Sequence, residues 1–106
     1  MKKGSVKLSV MYPSGEGKHF DIDYYVNKHF SYVVSLLGDA IVGVSIEKGI
    51  AGEGKGQAPF EAVGNLYFES MESFQNSFGA HVKEIRADLE NFTNIEPVVQ
   101  IGEVMV

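Results

Sequence analysis

A histidine interrupts what is otherwise the apolar face of a predicted helix. In residues 20–38 (FDIDYYVNKHFSYVVSLLG) apolar side chains recur three and four positions apart, which is the spacing of one helical face. That face consists of Ile22, Tyr25, Val26, His29, Val33 and Leu36 or Leu37. Two interpretations of His29 stay open: a buried imidazole that structural hydrogen bonds satisfy, or an acid, base or donor in a ligand pocket.

Tyr25 lies one turn before His29 on the same predicted face. Its hydroxyl could orient a substrate oxygen, or its ring could fill the core with the hydroxyl at the rim. In the pocket interpretation, His29 and Tyr25 are the catalytic candidates. Val26 and Val33 are then the apolar contacts to substrate.

Two further polar residues are candidates for binding substrate. His81 follows Gly79, where we expect the helical segment to break, and it lies either at a pocket mouth or beside backbone groups of a helix start. Tyr12 shares a face of a predicted strand with Val6, Leu8 and Val10, and we assign this face to the helices.

Several other kinds of site are disfavoured. No two histidines have the one-turn spacing of a helical metal pair, and the chain has no cysteine, so we expect no metal site. No Gly-x-Ser-x-Gly elbow is present. The glycine-rich residues 52–59 lack the ending of a phosphate-binding loop and are predicted to form a hairpin loop.

Composition narrows the class of protein. The 106 residues fit one domain, 1–106, and 44% of them are hydrophobic. The formal charge of −5 and the scattered lysines and arginines argue against a nucleic-acid partner. No segment approaches the roughly 20 apolar residues of a membrane helix. We expect a cytoplasmic protein, in agreement with the absence of cysteine.

The order of predicted elements indicates the fold. Alternation predicts strands over 6–12, 40–51, 60–69 and 95–106, with Pro97 near a strand start or at a sheet edge. Helices are predicted over 21–38, ending at Gly38, and over 70–92, starting at Ser70. This βαββαβ order is typical of a ferredoxin-like α+β domain with a four-stranded antiparallel sheet.

The strands carry apolar residues on both faces, although the helices of such a domain cover only one. The second set comprises Met11, Val63, Tyr67, Val98 and Val104. A sheet face left in water should be mostly polar, so this pattern predicts a partner. A second copy of the chain, as a homodimer, is the simplest one.

The chain resembles the EthD family over about residues 6–104. The resemblance is carried by the run from Phe20 to His29 (FDIDYYVNKH), by Leu-Tyr-Phe at 66–68 and by the Phe-Gly-x-His run that ends at His81. Similar members often have His-Met-Pro where this chain has His29-Phe30-Ser31, and proline where it has Ala80. The first difference affects the helix bend beside His29.

The resemblance implies a dimeric α+β barrel, in which two ferredoxin-like sheets pack face to face. It also implies a pocket for a hydrophobic small molecule between helices and sheet, on the side of His29. Related barrels include cofactor-free monooxygenases and cyclases, and the namesake is associated with ethyl tert-butyl ether degradation alongside a cytochrome P450 system. The expected function is therefore a cofactor-independent oxidoreductase or cyclase; the alternative is a non-catalytic binding module that assists a partner oxidoreductase.

Overall fold

One four-stranded antiparallel sheet forms the centre of the fold. The computed structural model describes residues 2–54 and 56–106. The strands, in the spatial order β2-β3-β1-β4, are β1 (Val6–Pro13), β2 (Gly43–Lys48), β3 (Phe60–Phe68) and β4 (Val98–Glu103). The predicted chain order and the ferredoxin-like α+β architecture are confirmed.

Two strands begin later than predicted. A 3₁₀ turn at Gly38–Ala40 follows the first helical segment, so β2 begins later than residue 40. β4 begins after Pro97, which has no N–H group for a strand ladder. β4 is also an edge strand, as predicted from the position of Pro97.

The first helical segment contains a π-helical turn that was not predicted. It runs through α1 (Ile22–Tyr24), the π turn (Tyr25–His29) and α2 (Phe30–Leu37). Asp21 caps its start, because the Asp21 carboxylate accepts a hydrogen bond from the Tyr24 N–H at 3.1 Å. Gly38 ends it as predicted, at a φ of 54° and a ψ of −130°, a backbone conformation that is open to glycine.

The second helix, α3 (Met71–Ala87), is continuous, so the predicted break at Gly79 is wrong. Ser70 caps the helix as predicted, accepting a hydrogen bond from the Ser73 N–H at 3.0 Å. A glycine inside a helix costs only about 1 kcal/mol. Phe74 and Ile85, which lie before and after Gly79, pack into the core and stabilise the helix on both sides of the glycine.

Both helical segments pack on one face of the sheet. Leu8 of β1 pairs with Leu66 of β3, and their side chains meet Phe30 and Val33 of α2 and Ile85 of α3 in a single core. A 3₁₀ turn, Leu89–Asn91, follows α3 and leads to the buried Phe92. No helix in the described ranges, 2–54 and 56–106, is long and apolar enough to cross a membrane.

The opposite face of the sheet carries the predicted apolar residues together with polar and charged ones. The register places Met11 beside Val63 and Val98, with Glu47 next to Val63. Tyr67 lies further along β3 beside Lys7, and Val104 follows the end of β4. Between them lies a polar row, which consists of Ser45, Asn65, Ser9 and Gln100. In this row Asn65 donates to Ser45 and accepts from Ser9, both at 3.1 Å.

Candidate functional site

The π turn decides which side chains point toward the sheet. Its defining hydrogen bond runs from the Phe30 N–H to the Tyr25 carbonyl, five residues back. The buried residues are Tyr25, His29 and Phe30, whereas Val26 is 41% exposed. The extra residue in the turn rotates Val26 outward and Phe30 inward, so the structure does not bring Val26 to the predicted pocket.

A cavity of about 260 Å³ lies between the helices and the sheet. Three groups of residues line it: Val10, Tyr12, Gly64, Leu66 and Val99 from the sheet; Tyr25, His29, Phe30 and Val33 from the π turn and α2; Phe78, Val82, Ile85, Arg86, Leu89 and Pro97 from α3 and the segment after it. The lining is almost entirely apolar. Pockets that bind small molecules combine such a lining with a few polar groups.

His29 is held in the cavity wall by Asp88, which directly follows α3. The His29 Nδ1 atom lies 2.8 Å from the Asp88 Oδ2 atom, and His29 is 4% exposed. An ionised carboxylate only accepts hydrogen bonds, so the proton is assigned to Nδ1. The lone pair of Nε2 is then left for the cavity that the imidazole lines.

Asp88 is itself fixed by two other donors. The Tyr24 hydroxyl and the Asn91 side-chain amide donate to Asp88 Oδ1 at 2.9 and 2.8 Å. Burial tends to raise the pKa of Asp88, but the hydrogen bonds from Asn91, His29 and Tyr24 outweigh it and hold that pKa below its usual range. The carboxylate is therefore ionised at neutral pH.

The electrostatics favour a neutral imidazole. Burial lowers the pKa of His29, and the hydrogen bond and charge of Asp88 offset only part of that effect. At neutral pH the pair consists of a carboxylate and an unprotonated Nε2. Such a pair can accept a proton from a bound molecule, and the aspartate then stabilises the imidazolium that forms.

Two tyrosines supply the other hydroxyl groups of the cavity. Tyr12 and Tyr25 are each 1% exposed, and their rings meet edge to face at 5.4 Å. Burial raises the pKa of each, so both hydroxyls stay protonated and able to donate. Tyr25 also stacks on His29, with ring centres 5.6 Å apart.

Gly64 makes room for the Tyr25 hydroxyl. A Cβ atom at Gly64 would overlap that oxygen and would approach the Phe30 ring to 3.1 Å. The glycine in the middle of β3 therefore lets the tyrosine lie directly against the sheet.

The structure brings four of the six predicted site residues together: Tyr12, Tyr25, His29 and Val33 all line the cavity. His81 does not line the cavity; its side chain is 33% exposed, and its Nδ1 atom lies 2.9 Å from Glu84 Oε1. The unbroken helix explains this position, because His81 was placed near the pocket on the assumption of a break at Gly79.

Asp88 is the residue that sequence analysis missed. It lies 59 positions from His29, so no local spacing connects the two. The one available signal was the requirement that a buried imidazole has a hydrogen-bond partner. Among residues 2–54 and 56–106, no three His, Asp or Glu side chains converge as metal ligands.

The fold and the site define a class: a ferredoxin-like α+β domain with an apolar cavity and a buried histidine–aspartate pair. No family profile and no curated protein matches the chain. Among solved structures, an EthD-like protein from Ralstonia eutropha JMP134 is 39% identical, with a TM-score of 0.90, and the match covers 99% of this chain and 96% of that one. The chain belongs to the EthD family.

Two more distant structures share the fold. An EthD-family protein from Bacillus halodurans C-125 is 23% identical, with a TM-score of 0.72, over 95% of this chain and 99% of that one. A monooxygenase of Streptomyces coelicolor, solved with nanaomycin D, is 13% identical, with a TM-score of 0.60, over 98% and 89%. The fold of this family is thus shared with antibiotic-biosynthesis monooxygenases.

Proposed function

We propose that this chain is a cofactor-independent enzyme of the monooxygenase or cyclase type, and that it acts on a hydrophobic, oxygenated small molecule. The observation that carries the proposal is the His29–Asp88 pair in the wall of an apolar cavity. Any buried histidine needs a hydrogen-bond partner, but this imidazole also lines an apolar cavity, and two further donors, Tyr24 and Asn91, hold its carboxylate partner.

The first chemical step is removal of a proton by His29. The Nε2 lone pair accepts it from an acidic C–H or O–H group of the substrate, and Asp88 stabilises the imidazolium. The Tyr12 hydroxyl, which accepts a hydrogen bond from Tyr25, donates its own proton in a hydrogen bond to the oxyanion that develops. In a monooxygenase, the carbanion formed at a CH2 group bonds to dioxygen and the peroxide anion takes the proton back from Nε2. The hydroperoxide then loses water to leave a carbonyl group, so the substrate supplies both electrons. In a cyclase, the carbanion adds to a carbonyl carbon of the same molecule and the alkoxide takes the proton back from Nε2.

Two observations support this reaction type. The cavity supplies few polar groups besides the imidazole and the two phenols, so it suits a substrate whose reactive oxygen sits at one end of an apolar body. In addition, the fold neighbour from Streptomyces coelicolor is a monooxygenase that was solved with nanaomycin D.

The experiment measures proton abstraction directly. A bicyclic ketone such as 2-tetralone exchanges its acidic hydrogens in deuterium oxide, and proton NMR follows the rate with and without protein. We expect His29→Ala to lower the protein-catalysed rate by roughly 10²- to 10⁴-fold with little loss of ketone binding. His81→Gln is the matched control, since His81 lies outside the cavity.

The alternative is a carrier that assists a partner oxidoreductase without chemistry of its own. The apolar lining favours it, because binding alone requires no base. If wild-type protein binds the ketone but does not accelerate exchange, or if His29→Ala exchanges as fast as wild type, the enzyme proposal is wrong. If the protein does catalyse exchange through His29, oxygen uptake during turnover separates a monooxygenase from a cyclase.

We further propose that the protein is a homodimer, with the second sheet face covered by another copy. The apolar residues Met11, Val63, Tyr67 and Val98 on that face support this assembly, and Val98 is 50% exposed in the single chain.

A further inference from the structure

One cationic side chain borders the cavity. Arg86 lies on α3, on the helical face that also presents Val82, Ile85 and Leu89 to the cavity. Its Nη2 atom donates to Glu96 Oε2 at 2.7 Å. The two side chains are 46% and 77% exposed, so this ion pair is solvated and easily exchanged.

Arg86 borders the same cavity as the polar side chains of Tyr12, Tyr25 and His29. Burial raises the pKa of Tyr12, and the positive charge of Arg86 works against that rise, while Glu96 adds to it. Because Arg86 and Tyr12 line the same cavity, an anion bound there lies near the positive charge of Arg86. The chain as a whole has a charge of −5, so an anion in the cavity needs such a local partner.

We infer that Arg86 is the charge partner of an oxyanion, and that the cavity selects hydrophobic phenols or enolisable ketones and holds them in their ionised form. This inference rests on the proposed function, in which His29 takes the proton. The proton moves from the ligand to Nε2, and the electron pair stays on the ligand as a phenolate or enolate oxygen. In the free protein, Glu96 occupies the guanidinium in place of the ligand.

Each of the other charged or titratable groups in and beside the cavity already has a role. His29 receives the proton, Asp88 stays ionised behind it, and the phenols Tyr12 and Tyr25 remain donors because burial raises the pKa of each. Of the cavity-lining residues, that leaves Arg86 as the fixed positive charge for the ligand.

A pair of chromophoric probes tests the assignment. 4-Nitro-1-naphthol changes its absorption when it ionises, and 1-nitronaphthalene has nearly the same shape without the hydroxyl. At one fixed pH, we expect wild-type protein to bind the naphthol mainly as the naphtholate. Arg86→Gln should lower the bound ratio of ionised to neutral probe by about tenfold, the low end expected for loss of a nearby opposite charge. Glu96→Gln should raise that ratio, because it frees the guanidinium.

Two controls isolate the charge of Arg86. Lys83→Gln removes a positive charge from an exposed position of the same helix outside the cavity lining, and should leave the ratio unchanged. Binding of 1-nitronaphthalene should be equal in wild type and Arg86→Gln, which also shows that the variant is folded.

Three results would overturn the inference: an unchanged ratio in Arg86→Gln, an equal loss of binding for both probes, or no binding of either probe to wild-type protein. The proposed function fails in a different way. If His29→Gln keeps the wild-type ratio while Arg86→Gln lowers it, His29 is not the base but Arg86 is still the anion partner.

Discussion

Replacing Asp88 with asparagine isolates the electrostatic part of the histidine–aspartate pair. The change keeps the size of the side chain and removes its charge. The His29 side chain is 5% exposed and that of Asp88 is 16% exposed, so water screens their interaction only in part. We expect the pKa of His29, already lowered by burial, to fall further in Asp88→Asn, because the carboxylate that opposes the effect of burial is lost.

The size of the change follows from the geometry. An opposite charge at hydrogen-bond distance shifts a pKa by about 1–3 units. Asp88 is partly solvated, so we take the low end, a fall of about one unit, which corresponds to about 1.4 kcal/mol between the protonated and neutral forms of His29. The asparagine amide can also donate to Nδ1, which would move the imidazole proton to Nε2 and remove the base.

Imidazole NMR titration measures this prediction. Glu84→Gln is the matched control, since it converts a carboxylate on the same helix to an amide beside His81 and should leave the His29 titration unchanged. If the His29 midpoint in Asp88→Asn stays where it is in wild type, or rises, our account of the pair is refuted.

The free energy of unfolding should depend on pH in the direction that this lowered pKa requires. The pKa of His29 is lower in the folded chain than its unfolded value of about 6.5, so the unfolded chain binds more protons as the pH falls. The stability that His29 contributes through this pKa difference is fully present above about pH 6.5. It is lost as the pH falls from there toward the lower pKa of the folded chain. Denaturation of wild type and Asp88→Asn between pH 7.5 and 5 should show a larger acid loss in the variant.

Three further predictions concern other parts of the molecule. Gly64→Ala should push the Tyr25 hydroxyl off the sheet and lower the tetralone exchange rate at a temperature where melting curves show that the variant is still folded. An unchanged rate would show that the position of Tyr25 does not matter. Gly79→Ala should stabilise α3 by about 0.5–1 kcal/mol in urea unfolding, since nothing lies within 4 Å of the added methyl group; a loss of stability would contradict the open geometry. Val98→Asp or Tyr67→Asp should convert a dimer to a monomer in light scattering, whereas an intact dimer in both would exclude this face as the interface.

Much of the architecture follows from periodicity alone. The alternation of Val6, Leu8 and Val10 and the helical spacing around Val33 are local signals, and each element that they predicted is present. The boundaries failed where a neighbouring element or the core overruled the local pattern, as with the continuous helix through Gly79.

The candidate site was less predictable, for two physical reasons. A period of 3.6 residues assumes a regular helix. Because residues 25–29 form a π turn, that period wrongly placed Val26 on the buried face and left out Phe30, which is buried. The pairing of His29 with Asp88 depends on where the end of one helix meets the middle of another, which only the folded chain determines. Residues such as Tyr12, whose position depended on strand alternation, were placed correctly.

The polar row on the open sheet face has a consequence for any surface that covers it. Ser45, Asn65 and Ser9 already hydrogen-bond to one another, and Asn65 is 4% exposed although no helix lies over it. Covering these three side chains removes little water from unsatisfied groups, so their desolvation cost in an interface is small. Gln100, which continues the row on β4, is exposed, so a partner surface that is apolar over the other three must leave Gln100 in water or offer it a hydrogen bond.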